Sequence, residues 1–352
     1  MEQQNTNIAE NTGSTPDKIT AGNPLVTVVI TCYNHAKYLP ESIESVLNQS
    51  YTNIELIVVD DGSADNTKEV TLSYPGVKYV WQKNQGLSAA RNTGIANSSG
   101  EYIAFLDADD YFYTDGIKIN VGYFLQHPEC AFVAGYHNKV DSNKNLIPEG
   151  PHTAPLKDHF KLLLTINFIG MHAAVLYKTE IIKHFPYDIS LPACEDYDMY
   201  LRITREWPVF THAEKIAAYR IHGNNMSGDA HLILTNVTRV LHRIKSHLKT
   251  KEELRAYHTG IKMWRNYYSM QVIKKLKAEK SQLTKKVKKK EIMMALKFKP
   301  HKLIIHYLTS FMPGKAAQIF LLPGSESFGL FFMHETHECF DHISTVLFIH
   351  IF

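Results

Sequence analysis

Three carboxylates, Asp107, Asp109 and Asp110, stand within four positions directly after the apolar run Tyr102-Ile103-Ala104-Phe105-Leu106. A buried strand gains nothing from such an ending. Like charges this close repel one another unless a cation lies between them. Asp-x-Asp spacing puts two side chains within reach of one hard divalent ion and of the diphosphate such an ion carries. Asp110 either joins that set or orients the loop. The competing reading is an exposed acidic turn that begins the next helix.

The elements that must position these carboxylates follow from periodicity. Residues 25–31 (LVTVVIT) and 54–60 (IELIVVD) are β-branched runs of the kind buried on both faces of a parallel sheet. Residues 77–82 and 102–106 read as two further strands. Helical spacing covers 38–49, with Pro40 acceptable in a first turn, and the Ala-rich stretch 87–97. Asp61-Gly62-Ser63 is a turn, with Ser63 or Asp65 as candidate cap of the helix after it. This alternation predicts an α/β fold, a mostly parallel sheet flanked by helices, with ligands at the carboxyl ends of the strands. Those ends deliver Thr31 and Tyr33, Asp60 and Asp61, then Asp107, Asp109 and Asp110. Residues 130–135 and 173–177 read as strands and 196–205 as a helix. From Gly228 to about Lys297 the pattern is helical, and the tail then turns apolar at 303–311, 319–322 and 328–332. Neither a Rossmann glycine fingerprint nor a P-loop is present, so a bound nucleotide is not held by a glycine cradle.

Charge divides the chain. Between Lys274 and Lys302 lie twelve lysines and two acids, a local +10 against −7 for the remainder, within a net charge of +3. Two regions with different partners are expected. A solvated helix face is the first reading of the run Lys285–Lys290, attraction to an anionic membrane the second; nucleic acid is not expected, since the nearby aromatics follow no stacking pattern. Four scattered cysteines fit a reducing cytoplasm better than a disulfide framework. Residues 1–22 read as a disordered polar tail with no signal peptide. No apolar stretch reaches the roughly 18–20 residues that span a bilayer. His334, His337, Cys339 and His342 match no closed zinc motif.

Six ordered blocks now bear on family. They are Val28-Val29-Ile30-Thr31-Cys32-Tyr33-Asn34, Ser45-Val46-Leu47-Asn48-Gln49-Ser50-Tyr51, Val58-Val59-Asp60-Asp61-Gly62-Ser63, Gly86-Leu87-Ser88-Ala89-Ala90-Arg91-Asn92, Asp107-Ala108-Asp109-Asp110 and Glu195-Asp196. Together with Tyr219–Ser227 they make residues 24–228 resemble a family 2 glycosyltransferase of the GT-A fold. The resemblance implies a catalytic domain over 23–228, followed by a helical, basic and then apolar region over 229–352. It implies an inverting, metal-dependent hexosyltransferase that uses Mn²⁺ or Mg²⁺ held by Asp107, Asp109 and Asp110. The donor would be a nucleotide sugar, UDP-linked by expectation. The acceptor would be a glycan or lipid-linked saccharide of cell-surface polysaccharide synthesis.

In that scheme Tyr33 offers a face to the base, Asp61 accepts from a ring N–H of uracil, and Thr31, Asp60, Arg91 and Asp107 complete the nucleotide site. His222 sits in the closing segment, where the resemblance puts a contact to pyrophosphate or metal; a structural histidine is the alternative. Asp196 is the expected base, with Glu195 second, because an acceptor hydroxyl needs a carboxylate opposite the leaving group. The other reading of Glu195-Asp196 is a pair of acids at a helix N-terminus. For Arg91 it is a solvated surface residue, and for Asp60-Asp61-Gly62 a plain turn. Two rival functions remain at this point: a nucleotidyltransferase on a similar sheet, and a non-catalytic sugar-nucleotide-binding module. The expected location is cytoplasmic, with peripheral contact at the inner face of the membrane.

Overall fold

A computed structural model describes residues 22–150, 154–155, 157–223, 225–279 and 289–299, together with three strands at 315–321, 327–334 and 343–350. The chain opens with β1 (Val26–Cys32), α1 (Leu39–Leu47), β2 (Ile54–Asp60), α2 (Thr67–Leu72), β3 (Lys78–Trp81), α3 (Leu87–Asn97) and β4 (Tyr102–Asp107). All seven residues of β1 are buried, which is why the run carries no polar alternation. Successive side chains leave a strand on opposite faces. Val29, Ile57, Val59, Ile103 and Phe105 therefore feed one core layer, and Val28, Ile30, Val58, Ala104 and Leu106 the other.

Register sets the site. β1 pairs in parallel with β2 and β4, so that Thr31 stands opposite Val59 on one side and Asp107 on the other, while Cys32 faces Asp60. The polar ends of three strands are thereby brought level. In α3, Gly94 lets the helix lie close to the sheet: a Cβ there would meet Val29 Cγ1 at 2.4 Å.

Next come β5 (Tyr111–Phe112), α4 (Gly116–Gln126), β6 (Phe132–Val140), β7 (Leu146–Ile147), α5 (His159–Thr165), β8 (Val175–Lys178), α6 (Thr179–Ile182), α7 (Glu195–Glu206) and β9 (Phe210–Arg220). Among the described residues the sheet order is β3-β2-β1-β4-β8-β6-β9-β5, with β7 paired to β6. It is parallel from β3 to β4. Beyond that β8 runs antiparallel to both β4 and β6, and β6 and β9 are parallel again. The strand expected over 130–135 continues to Val140; its second half carries Tyr136, His137, Asn138 and Lys139, which hide it from a search for apolar runs. The strand expected from 173 begins with a 3₁₀ turn, His172–Ala174.

The helical region after Gly228 comprises α8 (Ala230–Lys245), α9 (Lys251–Glu279) and α10 (Lys289–Phe298). Asp229 caps α8 by accepting from the Leu232 amide at 3.0 Å. Val237, Val240 and Leu241 of α8 and Tyr257 and Ile261 of α9 enter the same core as α5 and α7, so the helices are packed onto the sheet-containing half. Helical structure extends to Phe298. Farther along, β10 (Lys315–Leu321), β11 (Ser327–His334) and β12 (Ile343–His350) form an antiparallel meander instead of helix. Their β-branched and aromatic content favours the extended backbone. The expectations for 1–21, for Lys285–Lys288, for 303–311 and for His337, Cys339 and His342 lie outside the described residues. No described helix is long and apolar enough to cross a membrane.

Candidate active site at the carboxyl edge of the sheet

Asp107 ends β4 with its side chain about one-third exposed. Its Oδ1 accepts from Thr31 Oγ1 at 3.2 Å and from Arg91 Nη2 at 2.9 Å. Arg91 comes from α3, is 2% exposed, and bonds Glu195 Oε1 through Nη1. Rather than projecting into solvent, it is buried and ties Asp107 to the start of α7. Burial disfavours its charge, but Asp107 and Glu195 outweigh that and hold the guanidinium firmly protonated. Arg91 Nε is buried without a hydrogen-bond partner among the described residues.

Glu195 and Asp196 open α7 directly after Cys194, whose φ of 62° is left-handed. Arg91 links the first helical turn that follows to Asp107. Glu195 is buried against Arg91. Asp196 keeps partial exposure, and its Oδ1 accepts from the Tyr197 amide at 2.7 Å. The protein packed around Asp196 outweighs that exposure: burial first, then the neighbouring Glu195, pushes its carboxyl up to about 7. A carboxylate poised there can exchange a proton near neutral pH.

Asp109 and Asp110 diverge. Asp109 Oδ2 lies 2.8 Å from His222 Nε2, with His35 Nδ1 3.9 Å away. His222 stacks on Tyr38 with ring centroids 5.3 Å apart. Asp110 turns inward, and its Oδ1 accepts from the Arg220 amide at 2.8 Å. Burial, then Asp109 and Asp107, raises its carboxyl well above the ordinary range. It anchors the loop. Arg220 completes that anchor by donating from Nε to the Asp109 carbonyl at 2.8 Å and from Nη2 to Glu41. Sequence reasoning assigned Arg220 no role; a lone arginine closing the apolar strand Ile216-Ala217-Ala218-Tyr219 was the available signal.

The β2 edge is more structural than expected. Asp60 accepts from the Ser63 amide at 2.8 Å and from Tyr79 Oη at 2.7 Å. Asp61 accepts from Gln82 Nε2 (2.6 Å) and the Gln85 amide (2.9 Å) at Oδ1, and from the Gly86 amide (2.8 Å) at Oδ2. It thus pins the loop that feeds α3 and Arg91. Gly62, with φ 75°, has room for no Cβ, which would lie 2.8 Å from the Asn84 nitrogen. Tyr33 presents a ring half open to solvent, 51% exposed. Behind the carboxylates lies a buried network that the sequence did not disclose. His172 contacts Tyr187 Oη at 2.5 Å and Tyr200 Oη at 2.8 Å, and stacks on Phe105 at 5.1 Å. Burial, reinforced by Arg91, keeps it neutral. Tyr187 lies under the Arg91 guanidinium at 5.6 Å.

This sheet, with its acidic loop after the fourth strand and a second acidic pair at a facing helix, is the GT-A glycosyltransferase architecture. A mannosyltransferase from Pyrobaculum calidifontis, solved with GDP-Man and Mn²⁺, superposes with a TM-score of 0.54 at 14% identity over 82% of this chain and 87% of that one. A fragment of Staphylococcus aureus TarS solved with UDP-GlcNAc gives 0.51 at 17% identity over 91% and 100%. Residues 27–185 match the model of glycosyl transferase family 2. An uncharacterized glycosyltransferase, RP339 of Rickettsia prowazekii, is 32% identical over 214 residues, 59% of this chain and 67% of that protein. The chondroitin synthase of Escherichia coli is 34% identical over 212 residues, 58% of this chain. The chain spans only 30% of that synthase's length. The protein belongs to glycosyltransferase family 2 and has the GT-A fold.

Divalent metals are common in GT-A enzymes, and the donor set here can be weighed directly. Among the described residues no group of three or more His, Cys, Asp or Glu side chains is arranged to hold an ion alone. Among the described residues Asp107 uses only Oδ1 for its protein contacts, and Asp109 lies beside it on the same loop. One or two carboxylates that share an ion with water and substrate phosphates suit Mg²⁺ or Mn²⁺. The residues present fit that use.

Proposed function

We propose that the protein moves a sugar from a nucleoside-diphosphate donor, UDP-linked by preference, to an acceptor hydroxyl with inversion at the anomeric carbon. The observation that carries this reading is the Arg91 bridge. One buried guanidinium bonds Asp107, at the edge where a diphosphate leaves, and Glu195, beside the raised carboxyl of Asp196. Two chemically different acids thereby face one cleft at a fixed spacing.

Asp196 takes the proton from the acceptor hydroxyl as that oxygen attacks the sugar from the side opposite the diphosphate. Glu195 bonds Arg91 and keeps the first turn of α7 in place. Asp107 and Asp109 would hold Mn²⁺ or Mg²⁺, which stabilises the negative charge gathering on the leaving diphosphate. His222 orients Asp109. Tyr33, Thr31 and Asp60 line the base side. Asp61 shapes that wall by holding the 84–86 loop, and a contact from the base ring would share an oxygen with its loop amides. Asp110 and Arg220 brace the floor. All of these residues fall within 23–228, which we read as the catalytic domain, with 229–352 as an attached helical and basic region.

The similarity to chondroitin and hyaluronan synthases supports a glycan or lipid-linked acceptor and a role in surface polysaccharide synthesis. The +10 segment supports a protein that works in the cytoplasm against the anionic inner face of a membrane. The test is a panel of sugar nucleotides with Mn²⁺, scored for slow donor hydrolysis without acceptor. Release of nucleoside diphosphate supports transfer; release of pyrophosphate, or no turnover with any donor, sinks it.

A further inference from the structure

α8, α9 and α10 enclose a groove of about 970 Å³ at the side of the helical region. Arg265, Lys289, Lys290 and Lys297 line it, Met293 and Phe298 contribute apolar surface, and no carboxylate is among its lining residues. On α10 the sequence Lys289, Met293, Lys297 repeats at a four-residue interval, which stacks cation, thioether and cation on one stripe. Met293 is 58% exposed, a large apolar side chain held in water between two charges. Phe298 lies beneath cations, with Arg265 Cζ 5.0 Å and Lys297 Nζ 5.6 Å from its ring centre. Lys290 reaches Asp229 at 3.5 Å, whereas Lys289 and Lys297 make no ion pair among the described residues. Arg265 Nε is buried with no hydrogen-bond partner there.

We propose that this groove is a docking site for an anionic phospholipid of a bilayer leaflet. The phosphate would sit among Lys289, Lys297 and Arg265, and the start of one acyl chain against Met293 and Phe298. The inference rests on the reading of the basic region as membrane-facing and needs nothing from the catalytic reading. Charge complementarity selects an anion, because cations surround the groove with no acid among them. The apolar surface selects an amphiphile: a free phosphate gains nothing from Met293 and Phe298, whereas an alkyl chain is drawn out of water by them. Methionine adapts to a chain of undefined shape, and the lysine stems can lie along the apolar surface while their heads stay with the phosphates. Nucleic acid is disfavoured because the groove's exposed apolar side chain, Met293, offers no ring on which a base could stack.

The test is co-sedimentation of the full chain with vesicles of phosphatidylcholine alone and of an equal mixture with phosphatidylglycerol. The mixed vesicles should bind and the neutral ones should not. The double variant Lys289→Glu/Lys297→Glu should bind the mixed vesicles about ten-fold more weakly or worse. Met293→Asp should weaken binding in the same direction. The altered side chains are exposed, so a circular dichroism spectrum like that of wild type is expected and excludes unfolding as the cause. Lys68→Glu/Lys118→Glu, on exposed positions of α2 and α4, should stay within about two-fold of wild type. Mixed-vesicle binding that survives both groove variants overturns the groove and leaves the membrane reading standing. No vesicle binding by wild type overturns both. Equal binding to neutral vesicles, or full displacement by inorganic phosphate at matched ionic strength, overturns the phospholipid assignment.

Discussion

The carboxyl edge of the sheet and the face of α8–α10 both gather charge, of opposite sign and by different means. At the edge, Asp61, Asp110 and Glu195 are buried and each is committed: Asp61 to three donors, Asp110 to the Arg220 amide, Glu195 to Arg91. On the helices, Lys289, Lys297 and Met293 are exposed and carry few protein contacts. A buried charge must be paired at fixed geometry or it is too costly to keep, so the edge is rigid and specific. An exposed charge needs no partner, so the helical face can answer a diffuse one. Chemistry that depends on distance belongs at the first; attraction that depends on summed charge belongs at the second.

That contrast can be broken at several points. Asp109→Ala should take metal-dependent turnover to background, measured as nucleoside diphosphate released with and without a chelator. Asp196→Asn should retain nucleotide binding and lose transfer by roughly two to four orders of magnitude, the scale of one general base. Unimpaired transfer would remove Asp196 from that role. The raised carboxyl also has a pH signature. As the proposed base, Asp196 acts only when ionised, so kcat should climb as pH rises through about 7. Folding shows the opposite sign. A carboxyl held above its unfolded value lends stability at acid pH, and that is lost as pH rises toward the folded value. Wild type should therefore lose stability relative to Asp196→Asn between about pH 4 and about pH 7 and run parallel above.

Smaller effects separate the two regions further. Arg91→Met leaves buried Glu195 unpaired and should cost about 3–5 kcal/mol in urea unfolding. Val272→Ala, in the minor core between α8, α9 and α10, should cost about 1–2 kcal/mol. Donor hydrolysis should be untouched there, because no catalytic group leans on that cluster. Arg243→Ala breaks an exposed pair with Asp188 and should change stability by less than about 1 kcal/mol. A Val272→Ala enzyme with impaired hydrolysis would show that the helical region reaches the site.

What could be read from the linear chain was set by short-range rules. β1, β2 and β4 announce themselves because a strand buried on both faces must be apolar throughout. The acids at their ends stand out because nothing apolar explains them. The same rules failed where polar residues belong inside a strand, as in Tyr136–Lys139 of β6, and where apolar residues lie in an antiparallel meander rather than in helices. Six blocks of sequence determined the fold class and the list of candidate residues. Their partners were decided in three dimensions. No spacing rule says that Arg91 turns inward to join residues 16 and 104 positions away, or that Asp110 faces the Arg220 amide while Asp109 faces His222. Those choices depend on which groups lose water together, and only the packed chain determines that.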